Sequence, residues 1–401
     1  LFESIQGGEK WGRYSIIGLP CNTILRVIGD RVTVEAGGKV VEESSGADPF
    51  AFIAEFQSRY RVAEIPDRQL FAGGLVGYFA YDSVRYVETS MGPAPGEDQI
   101  GTPDILLMLS EEVVVFDNLR GTISFIINVD PSAKQAYENA ELRLNQLQAE
   151  LHKPVPLPKI STGRNSITES DFAFHFQQQQ YQQAVGKIKD YIVAGDVMQV
   201  VLAQRMSVDF SGDPVNIYRA LRFLNPSPYM VYFDLGDHHV VSASPEILAR
   251  VDAGKITVRP LAGTRKRGAT EDEDLALEKE LLADSKELAE HLMLIDLSRN
   301  DSGRVSKIGS VTVPKKMFIE RYSHVMHIAS IVESEIREDK TSLQVLQATL
   351  PVGTLSGAPK VRAMQVIDEL ELEKRGIYGG AMGYLAWNGN MDMAIAIRTV
   401  V

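Results

Sequence analysis

The chain has 401 residues, of which 44% are hydrophobic and 23% are charged, a composition typical of a soluble globular enzyme that can bury a large core. Its formal net charge of −12 argues against nucleic acid or an anionic membrane surface as the main partner. Cys21 is the one cysteine, which excludes a disulfide framework and a cysteine-based zinc site and fits a cytoplasmic location. Since no apolar run approaches the length of a membrane span, we expect no membrane segment.

Predicted strands dominate the first part of the chain. Residues 22–42 and 104–129 alternate apolar and polar positions between Gly-containing turns, as antiparallel strands do. Helical patterns follow Asp48 and Ser132, and both residues could cap the helix that begins there.

A Pro-rich polar segment, residues 153–167, predicts a connector. It divides the chain into a strand-rich N-terminal region, 1–160, and a second region, 161–401, which we expect to pack tightly against the first. Beyond the connector a helical pattern ends near Gly195, and strands and helices then follow in unequal groups rather than in the alternation of a parallel sheet. We therefore predict an α+β fold with large antiparallel sheets covered by helices.

The segment KELAEHLMLIDLSRND, which begins at Lys286, predicts a helix with an acidic edge. Its apolar face is formed, at helical spacing, by Leu288, Leu292 and Ile295. Positions three and four apart are neighbours, so a polar arc beside that face gathers Glu287, Glu290 and His291. The pattern allows two interpretations: carboxylates that lie in water, or a site for a hard cation, which prefers carboxylate oxygens.

The last stretch, YGGAMGYLAWNGNMDMAIAIRTV, predicts a β-hairpin with Asn388-Gly389 at its turn. Alternation on the second strand places Ala394, Ala396 and Arg398 on one face, so that small side chains leave room in front of a guanidinium. That site suits bidentate binding of a carboxylate. An arginine paired with a neighbouring acid would have the same pattern.

Three further segments carry polar residues whose patterns fit a structural role as well as a functional one. Glu246 follows a strand in SASPEIL, where capping is its ordinary role. His327 alternates with Val325 in ERYSHVMHIAS, as a buried core histidine would. In LPVGTLSGAPKVRAM a loop of Gly, Thr and Ser leads into a helix, with Pro359 near the first turn. The joint order and spacing of these segments is more specific than any one of them.

Taken together, the motifs resemble those of the chorismate-utilising enzymes. They are GDVMQVVLAQR, SASPE, RPLAGTRKRG, KELAEHLMLIDLSRND, RYSHVMH, GTLSGAPKVRAM, YGGAMGY and DMAIAIRT. They extend from Gly195 to Thr399, and within the family the resemblance is closest to the large, chorismate-binding subunits of anthranilate synthases. It implies a four-layer α+β sandwich of two large, orthogonally packed antiparallel sheets flanked by helices.

The resemblance implies a Mg²⁺ cofactor and a set of substrate contacts. Glu290, with Glu287 near it, would hold the Mg²⁺ that binds the ring carboxylate of chorismate, so that a cation separates like charges. Arg398 and Tyr378 would hold the enolpyruvyl side chain, and Gly263 and Thr264 would add further chorismate contacts.

Catalytic roles are implied for three more residues. Glu246 corresponds to the acid that protonates the departing 4-hydroxyl. His327 corresponds to a residue of pyruvate elimination and aromatisation, and Thr354 belongs to the same pocket wall.

Two positions separate the members of the family by their nucleophile. Isochorismate and salicylate synthases carry a Lys base at the place of Gln199, and a neutral amide cannot accept a proton from water. Aminodeoxychorismate synthases typically carry a nucleophilic Lys at the place of Ala262. We therefore expect an ammonia-using lyase that makes anthranilate and pyruvate for tryptophan biosynthesis. The alternatives are an aminodeoxychorismate or aminodeoxyisochorismate synthase, or a non-catalytic amino-acid-binding regulatory subunit of the same fold.

A partner and an inhibitor are also expected. Cys21, in GLPCNTI, lacks the context of a glutaminase nucleophile, so ammonia would come from a separate glutamine amidotransferase subunit in a hetero-oligomer. The segments LFES and NPSPYM resemble the feedback site for L-tryptophan in this subunit. The contacts carried over to this chain are Ser4, Pro228, Tyr229 and Met230.

The ends of the chain depart from the family pattern. Val401 lies within a strand pattern, and together with the start at Leu1 this leads us to expect that both ends are cut. The resemblance implies that family members continue past Val401 into a strand and a helix that supply another Mg²⁺ ligand and backbone contacts to the substrate.

Overall fold

Two large antiparallel sheets and their covering helices make up the structure, a computed structural model that describes residues 1–5, 12–63, 71–94, 96, 98–155 and 167–401. The predicted boundary between residues 160 and 161 lies outside the described residues. Within these ranges, none of the helices combines the length and the apolar composition needed to cross a membrane.

The strands of the described ranges are β1 (Phe2–Glu3), β2 (Tyr14–Gly18), β3 (Thr23–Ile28), β4 (Arg31–Ala36), β5 (Lys39–Ser45), β6 (Gly74–Phe79), β7 (Ile105–Ser110), β8 (Glu112–Asp117), β9 (Thr122–Ile127), β10 (Ala173–Phe174), β11 (Gln199–Val200), β12 (Met206–Ser207), β13 (Tyr229–Asp234), β14 (His239–Ser244), β15 (Ile247–Asp252), β16 (Lys255–Val258), β17 (Leu261–Lys266), β18 (Thr312–Arg321), β19 (Val325–Glu335), β20 (Gly357–Ala358), β21 (Ala381–Ala386), β22 (Met391–Ile395) and β23 (Thr399–Val400). The α-helices are α1 (Pro49–Ser58), α2 (Ala136–Leu151), α3 (Gln178–Ala194), α4 (Pro214–Leu224), α5 (Glu271–Ala283), α6 (Ser285–Gly303), α7 (Ser342–Thr349) and α8 (Lys360–Leu370).

The larger sheet has 12 strands in the order β17-β19-β16-β15-β22-β21-β6-β7-β3-β4-β5, with β18 paired to β19. The smaller sheet has 7 strands in the order β23-β14-β13-β1-β2-β8-β9. Neighbouring strands in both sheets are antiparallel. Each sheet therefore contains strands from both of the regions predicted from the sequence.

The hydrophobic core has two main parts, one on each face of the larger sheet. On the outer face, Phe50 and Ile53 of α1, Ile295 of α6 and Leu346 of α7 pack with strand residues such as Leu107. Sheet side chains alternate between two faces, so the opposite set of residues is free to meet the smaller sheet.

The second part of the core lies between the sheets. Phe2 and Val115 of the smaller sheet pack there with Tyr78 and Met382 of the larger one. The far side of the smaller sheet is covered by α4, which places Tyr218 against β13 and β14. Helices, large sheet, small sheet and helices thus form four layers. The predicted α+β class, with large antiparallel sheets flanked by helices, is confirmed.

Two of the three helix ends predicted from local sequence signals are confirmed. Asp48 caps α1 and accepts a hydrogen bond from the Phe50 N–H. Gly195 ends α3 in a left-handed conformation, φ +83°. The prediction of a cap at Ser132 is wrong, because α2 begins at Ala136. Ser132 lies in the turn before this helix and donates to Asp130.

Candidate active site

The candidate site lies where two neighbouring segments cross between the sheets. One crossing leads from β14 to β15 and contains Glu246, and the other leads from β22 to β23 and contains Arg398. Because β15 pairs with β22 and β14 pairs with β23, the two crossings run side by side. A hydrogen bond from the Ile395 N–H to the Glu246 carbonyl (3.1 Å) joins them. Sheet pairing thus brings together two residues that are far apart in the sequence.

Glu246 is a buried acid, with 6% of its surface exposed. Thr354 Oγ1 donates toward its carboxylate and lies 3.3 Å from both oxygens. Burial raises the pKa of Glu246 to about 8, although the Thr354 hydroxyl and the positive charge of nearby Arg398 favour the ionised form. A carboxyl group with this pKa is protonated at neutral pH and can act as a general acid.

Arg398 follows β22 in a left-handed backbone conformation, φ +50°. The prediction that it shares one face of a continuous strand with Ala394 and Ala396 is wrong. Strand β22 ends at Ile395, and the Arg398 carbonyl accepts from the Ala243 N–H (3.2 Å) as the chain joins the smaller sheet. Within the described part of the chain, no carboxylate forms an ion pair with the exposed Arg398 side chain. Its guanidinium is therefore available to an anionic ligand.

Tyr378 lies on the segment beside this crossing. The N–H of the next residue, Gly379, donates to the Ala396 carbonyl (2.9 Å), so Tyr378 and Arg398 occupy neighbouring chains. The Tyr378 side chain remains 37% exposed, and its ring lies 5.9 Å from the guanidinium carbon of Arg375. The structure thus places the two predicted enolpyruvyl contacts next to each other.

Gly263, Thr264 and His327 form a further part of the site at a β-bulge. The register of β17 against β19 shifts between Ala262 and Thr264, and Gly263 adopts φ +73°, which favours glycine. His327 Nδ1 lies 3.2 Å from the Gly263 carbonyl and 3.0 Å from Thr264 Oγ1. Because a carbonyl oxygen only accepts, this contact places the ring proton on Nδ1 and leaves Nε2 able to accept a proton. Burial lowers the pKa of His327, so the ring is neutral near pH 7.

Helix α6 buries only part of the predicted face: Ile295 is buried and Leu288 is half-buried. Leu292 is 49% exposed, whereas His291 is fully buried with its Nε2 2.7 Å from Ser330 Oγ in β19. The buried positions are His291, Leu294, Ile295, Ser298 and Ser302. The prediction was wrong for Leu292. His291 keeps its helical position next to the two acidic residues, but it is buried because its ring hydrogen-bonds to Ser330 of β19.

The two acidic residues of α6 do point toward the site. The side chains of Glu287 and Glu290 are half-buried. Glu287 Oε2 lies 3.2 Å from the position that a Cβ on Gly263 would occupy. Glu290 Oε1 accepts a hydrogen bond of 3.0 Å from Gln199 Nε2. One turn of α6 thus lies next to both the Gly263 bulge and the strand of Gln199.

These residues fit the Mg²⁺ that the family resemblance implies. Magnesium is usually held by one or two carboxylates together with water and substrate oxygens, rather than by a complete protein cage. In the described ranges no group of three or more His, Cys, Asp or Glu residues could hold a metal ion. The buried Oε1 of Gln199, beside Glu290, has no hydrogen-bond partner there either. Two carboxylates and an unpaired amide oxygen suit a hydrated divalent cation.

Ser4 and residues 228–230 lie together in the smaller sheet. Glu3 of β1 pairs with β13, and the Ile5 N–H donates to the Ser227 carbonyl (3.3 Å), so Ser4 lies opposite the segment 228–230. That segment is buried. The structure therefore brings the predicted inhibitor contacts to one place.

Two buried arginines beside the site were not singled out in the sequence. Arg259 donates from Nη2 to the Tyr322 hydroxyl (3.1 Å) and pairs with Glu320. Arg375 pairs with Glu371. A charged residue between apolar neighbours, such as Arg259 between Val258 and Pro260, is a usable signal because buried charges are rare unless paired.

Comparison with known proteins shows which family the chain belongs to. A family model described as chorismate binding enzyme matches residues 15–401. Anthranilate synthase component 1 of Pseudomonas aeruginosa is 58% identical over 402 residues, which cover 100% of this chain and 82% of that protein. The crystal structure of anthranilate synthase component I from Streptococcus pneumoniae has a TM-score of 0.83 and 37% identity, and the match covers 99% of this chain and 85% of that one.

A more distant structure shares the fold alone. The menaquinone-specific isochorismate synthase MenF of Escherichia coli has a TM-score of 0.66 at 16% identity, over 96% of this chain and 85% of that chain. The match of the family model over most of the residues and the high identity to component 1 proteins decide the classification. The chain belongs to the chorismate-binding enzyme family and, within it, groups with anthranilate synthase component 1.

Proposed function

We propose that the protein converts chorismate and ammonia to anthranilate and pyruvate, as the large subunit of an anthranilate synthase at the first step of tryptophan biosynthesis. The observation that carries the proposal is the buried Glu246 carboxyl, whose pKa is raised to about 8, beside the available guanidinium of Arg398. This pair combines a proton donor with a binding group for a carboxylate. Chorismate needs both, since it must lose a hydroxyl group while its carboxylates are held.

In the first step, the nitrogen of ammonia forms a bond to ring C2. The two ring double bonds shift, and the bond between C4 and its hydroxyl oxygen breaks. Glu246 gives its proton to the departing oxygen, which leaves as water, and the added nitrogen loses one proton. The Thr354 hydroxyl holds the carboxyl of Glu246 in place for this transfer.

In the second step, the ring becomes aromatic. The C2 proton is removed, the bond from C3 to the enolpyruvyl oxygen breaks, and the released enolpyruvate takes up a proton to become pyruvate. His327 suits the role of proton acceptor, because its Nδ1 is held by the Gly263 carbonyl and its Nε2 has no hydrogen-bond partner in the part of the chain that the structure describes.

The choice of ammonia over water or a side-chain amine rests on two positions. Gln199 offers an amide and donates its N–H to Glu290, so it cannot deprotonate a water molecule. Ala262, next to the Gly263 bulge, has no amine that could attack C2. Ammonia needs neither a base nor a covalent intermediate.

Glu287 and Glu290 are the residues that would hold Mg²⁺. Bound there, Mg²⁺ supplies positive charge against the ring carboxylate, which the acidic edge of α6 would otherwise repel. Gln199 keeps the Glu290 side chain oriented by its hydrogen bond.

We infer that ammonia comes from glutamine through a separate amidotransferase subunit. Burial raises the pKa of the Cys21 thiol, so it is not poised as a thiolate nucleophile. L-tryptophan is proposed to bind at Ser4 and residues 228–230 and to inhibit the reaction.

The test is fluorescence detection of anthranilate from chorismate, Mg²⁺ and ammonium with the purified protein, together with an enzymatic assay of pyruvate. Equal amounts of both products are expected. An amino-containing product without pyruvate would instead indicate an aminodeoxychorismate or aminodeoxyisochorismate synthase. Tryptophan binding without any chorismate turnover would indicate a regulatory subunit.

A further inference from the structure

Arg375 lies just after α8 and is almost completely buried, with 3% of its side chain exposed. Its Nε donates to one oxygen of Glu371 (2.8 Å) and its Nη2 to the other (2.6 Å), which makes a bidentate ion pair. The Glu371 side chain is 8% exposed and also accepts from the Ala203 N–H (2.8 Å). A buried pair with this geometry holds the guanidinium in one orientation.

The remaining donors of Arg375 reach two backbone segments of the candidate site. Nη2 donates to the Val201 carbonyl (2.7 Å), two residues after Gln199. Nη1 donates to the Leu355 carbonyl (2.7 Å), the residue that follows Thr354. One planar group thus spans the strand of the nucleophile-selecting amide and the turn of the hydroxyl that holds Glu246.

The guanidinium of Arg375 also lies over two aromatic rings. Its central carbon lies 4.6 Å from the centre of the Tyr81 ring and 5.9 Å from that of Tyr378. A cation close to an aromatic face is attracted to it. Tyr378, a proposed substrate contact, thus lies against a group whose orientation Glu371 has already fixed.

We propose that Arg375 is a positioning residue that keeps Gln199, Thr354 and Tyr378 in place relative to one another, with Glu371 fixing its orientation. The inference rests on the proposed function, because that function gives these three residues their roles. Lysine cannot replace Arg375, since an ammonium group lacks the planar fork that reaches a carboxylate and two carbonyls at once.

Arg85 provides a matched control. It is also mostly buried, pairs with Asp368 of α8 at 2.7 Å and donates to the Gly92 carbonyl. Its partners are not residues of the candidate site. Loss of either arginine fork should lower stability, but only loss of the Arg375 fork should disturb the site.

The experiment compares Arg375→Lys and Arg85→Lys with the parent protein in steady-state kinetics for chorismate. We expect Arg375→Lys to raise KM and to lower kcat by about tenfold or more, because a small misplacement of catalytic groups can cost ~10²-fold. Arg85→Lys should leave both constants of the folded protein within about twofold of the parent values. If both variants change kinetics equally after correction for folded protein, Arg375 is only structural and the proposal is overturned.

Hydrogen exchange measured by mass spectrometry tests the positioning without relying on catalysis. Arg375→Lys should speed exchange in residues 199–203 and 353–358, and Arg85→Lys should not. Equal protection of these segments in the two variants would contradict the positioning role of Arg375. Failure of the parent protein to make anthranilate would overturn only the proposed function, because the exchange measurement does not depend on turnover. If Arg375→Lys does not fold, Glu371→Gln, which keeps the arginine but frees its orientation, must show the same exchange pattern for the inference to stand.

Discussion

The Thr354 hydroxyl lies 3.3 Å from both carboxylate oxygens of Glu246, a side chain that is 6% exposed. A hydroxyl donates a single hydrogen bond, so Thr354 holds the Glu246 carboxyl in place but does not offset the full free-energy cost of burying its ionised form. Burial therefore dominates, and the acid keeps its proton at neutral pH.

Glu246→Gln should lower anthranilate formation by about 10²- to 10⁴-fold, since the amide cannot protonate the leaving hydroxyl. In the parent protein, turnover at a constant concentration of free ammonia should fall above pH 8, as Glu246 with its pKa of about 8 ionises. The measurement is the initial rate by anthranilate fluorescence across pH. Retained turnover in the glutamine variant would exclude Glu246 as the acid.

Glu246→Gln should also stabilise the fold at high pH, compared with the parent protein. The folded pKa of about 8 lies above the ordinary value of 4.5, so protonation of Glu246 stabilises the fold fully below pH 4.5, and this contribution is lost as the pH rises through 8. The glutamine of the variant cannot ionise, so the variant does not lose stability in this way as the pH rises. Its melting temperature relative to the parent should thus increase between pH 5 and pH 9, as followed by circular dichroism. A constant difference would show that the carboxyl is not buried as described.

Glu290→Gln should weaken activation by Mg²⁺ by at least about tenfold, because a neutral amide is a poor ligand for a hard cation. The Mg²⁺ concentration that gives half-maximal activity is the measured quantity. Asp296→Asn is the control, since Asp296 lies on the same helix with 64% of its side chain exposed and pairs with Arg299. A normal Mg²⁺ response in Glu290→Gln would remove this residue from the metal site.

With no partner, the protein should use ammonium salts and not glutamine, and activity at fixed total ammonium should rise from pH 6 to pH 8 as free ammonia increases. A cognate glutaminase subunit should confer glutamine use. Cys21→Ser should not change the ammonia-dependent rate, since burial raises the pKa of this thiol and the mechanism assigns it no role. The assignment of glutaminase activity to a separate subunit would be refuted if the purified single subunit made anthranilate from glutamine and Cys21→Ser lost this activity.

L-tryptophan should lower chorismate affinity from a separate site, with a coupling of ~1–3 kcal/mol in both directions. A route exists in the smaller sheet: Tyr229 pairs with Ser244, whose hydroxyl hydrogen-bonds to the Glu246 backbone. Ser4→Phe should relieve inhibition while sparing turnover. Ser132→Phe, at an exposed serine elsewhere, should leave inhibition unchanged.

Calorimetry checks the two-site arrangement directly. Chorismate should weaken tryptophan binding without abolishing it at saturation. If chorismate and tryptophan excluded each other completely, and Ser4→Phe bound tryptophan as tightly as the parent protein, the inhibitor would bind at a site other than Ser4 and residues 228–230.

Gln199→Lys and Ala262→Lys test the choice of nucleophile. A lysine at 199 could deprotonate water if its surroundings lower its pKa, so traces of isochorismate and less anthranilate are expected. A lysine at 262 should obstruct ammonia, and its amine could form an adduct at C2. Chromatography and intact-protein mass measurement after incubation with chorismate and Mg²⁺, without ammonia, separate the two outcomes. Parent rates of anthranilate formation in both variants would show that neither position selects the nucleophile.

Local sequence patterns predicted those features that depend on a few neighbouring residues. The turn at Asn388-Gly389 forms as expected, with Gly389 at φ +84°, and Asp48 begins its helix. The spacing of Glu287 and Glu290 correctly placed both on one turn of α6, because the helical period alone sets that relationship.

Patterns failed where distant segments decide burial. Leu292 was expected in the core, but it is 49% exposed, and the neighbouring His291 is buried instead through its contact with Ser330 of β19. Arg398 was expected on a continuous strand, but pairing of β23 with β14 turns the chain before it. These contacts join residues that are far apart in the sequence, so the helical and strand periods do not predict them.

Periodicity and turn chemistry were sufficient to predict the α+β class. The residue types expected for chemistry on chorismate came from the resemblance of the motifs to those of a known family. The sequence did not reveal that Glu246 contacts Thr354 or lies beside Arg398. The folded chain brings Arg398 there because two adjacent crossings between the sheets run side by side, and it places Thr354 against the Glu246 carboxyl. The protonated state of Glu246 also belongs to the tertiary structure. A pKa depends on how much water the fold removes around a group, and that exclusion arises only when the two sheets and their helices have packed.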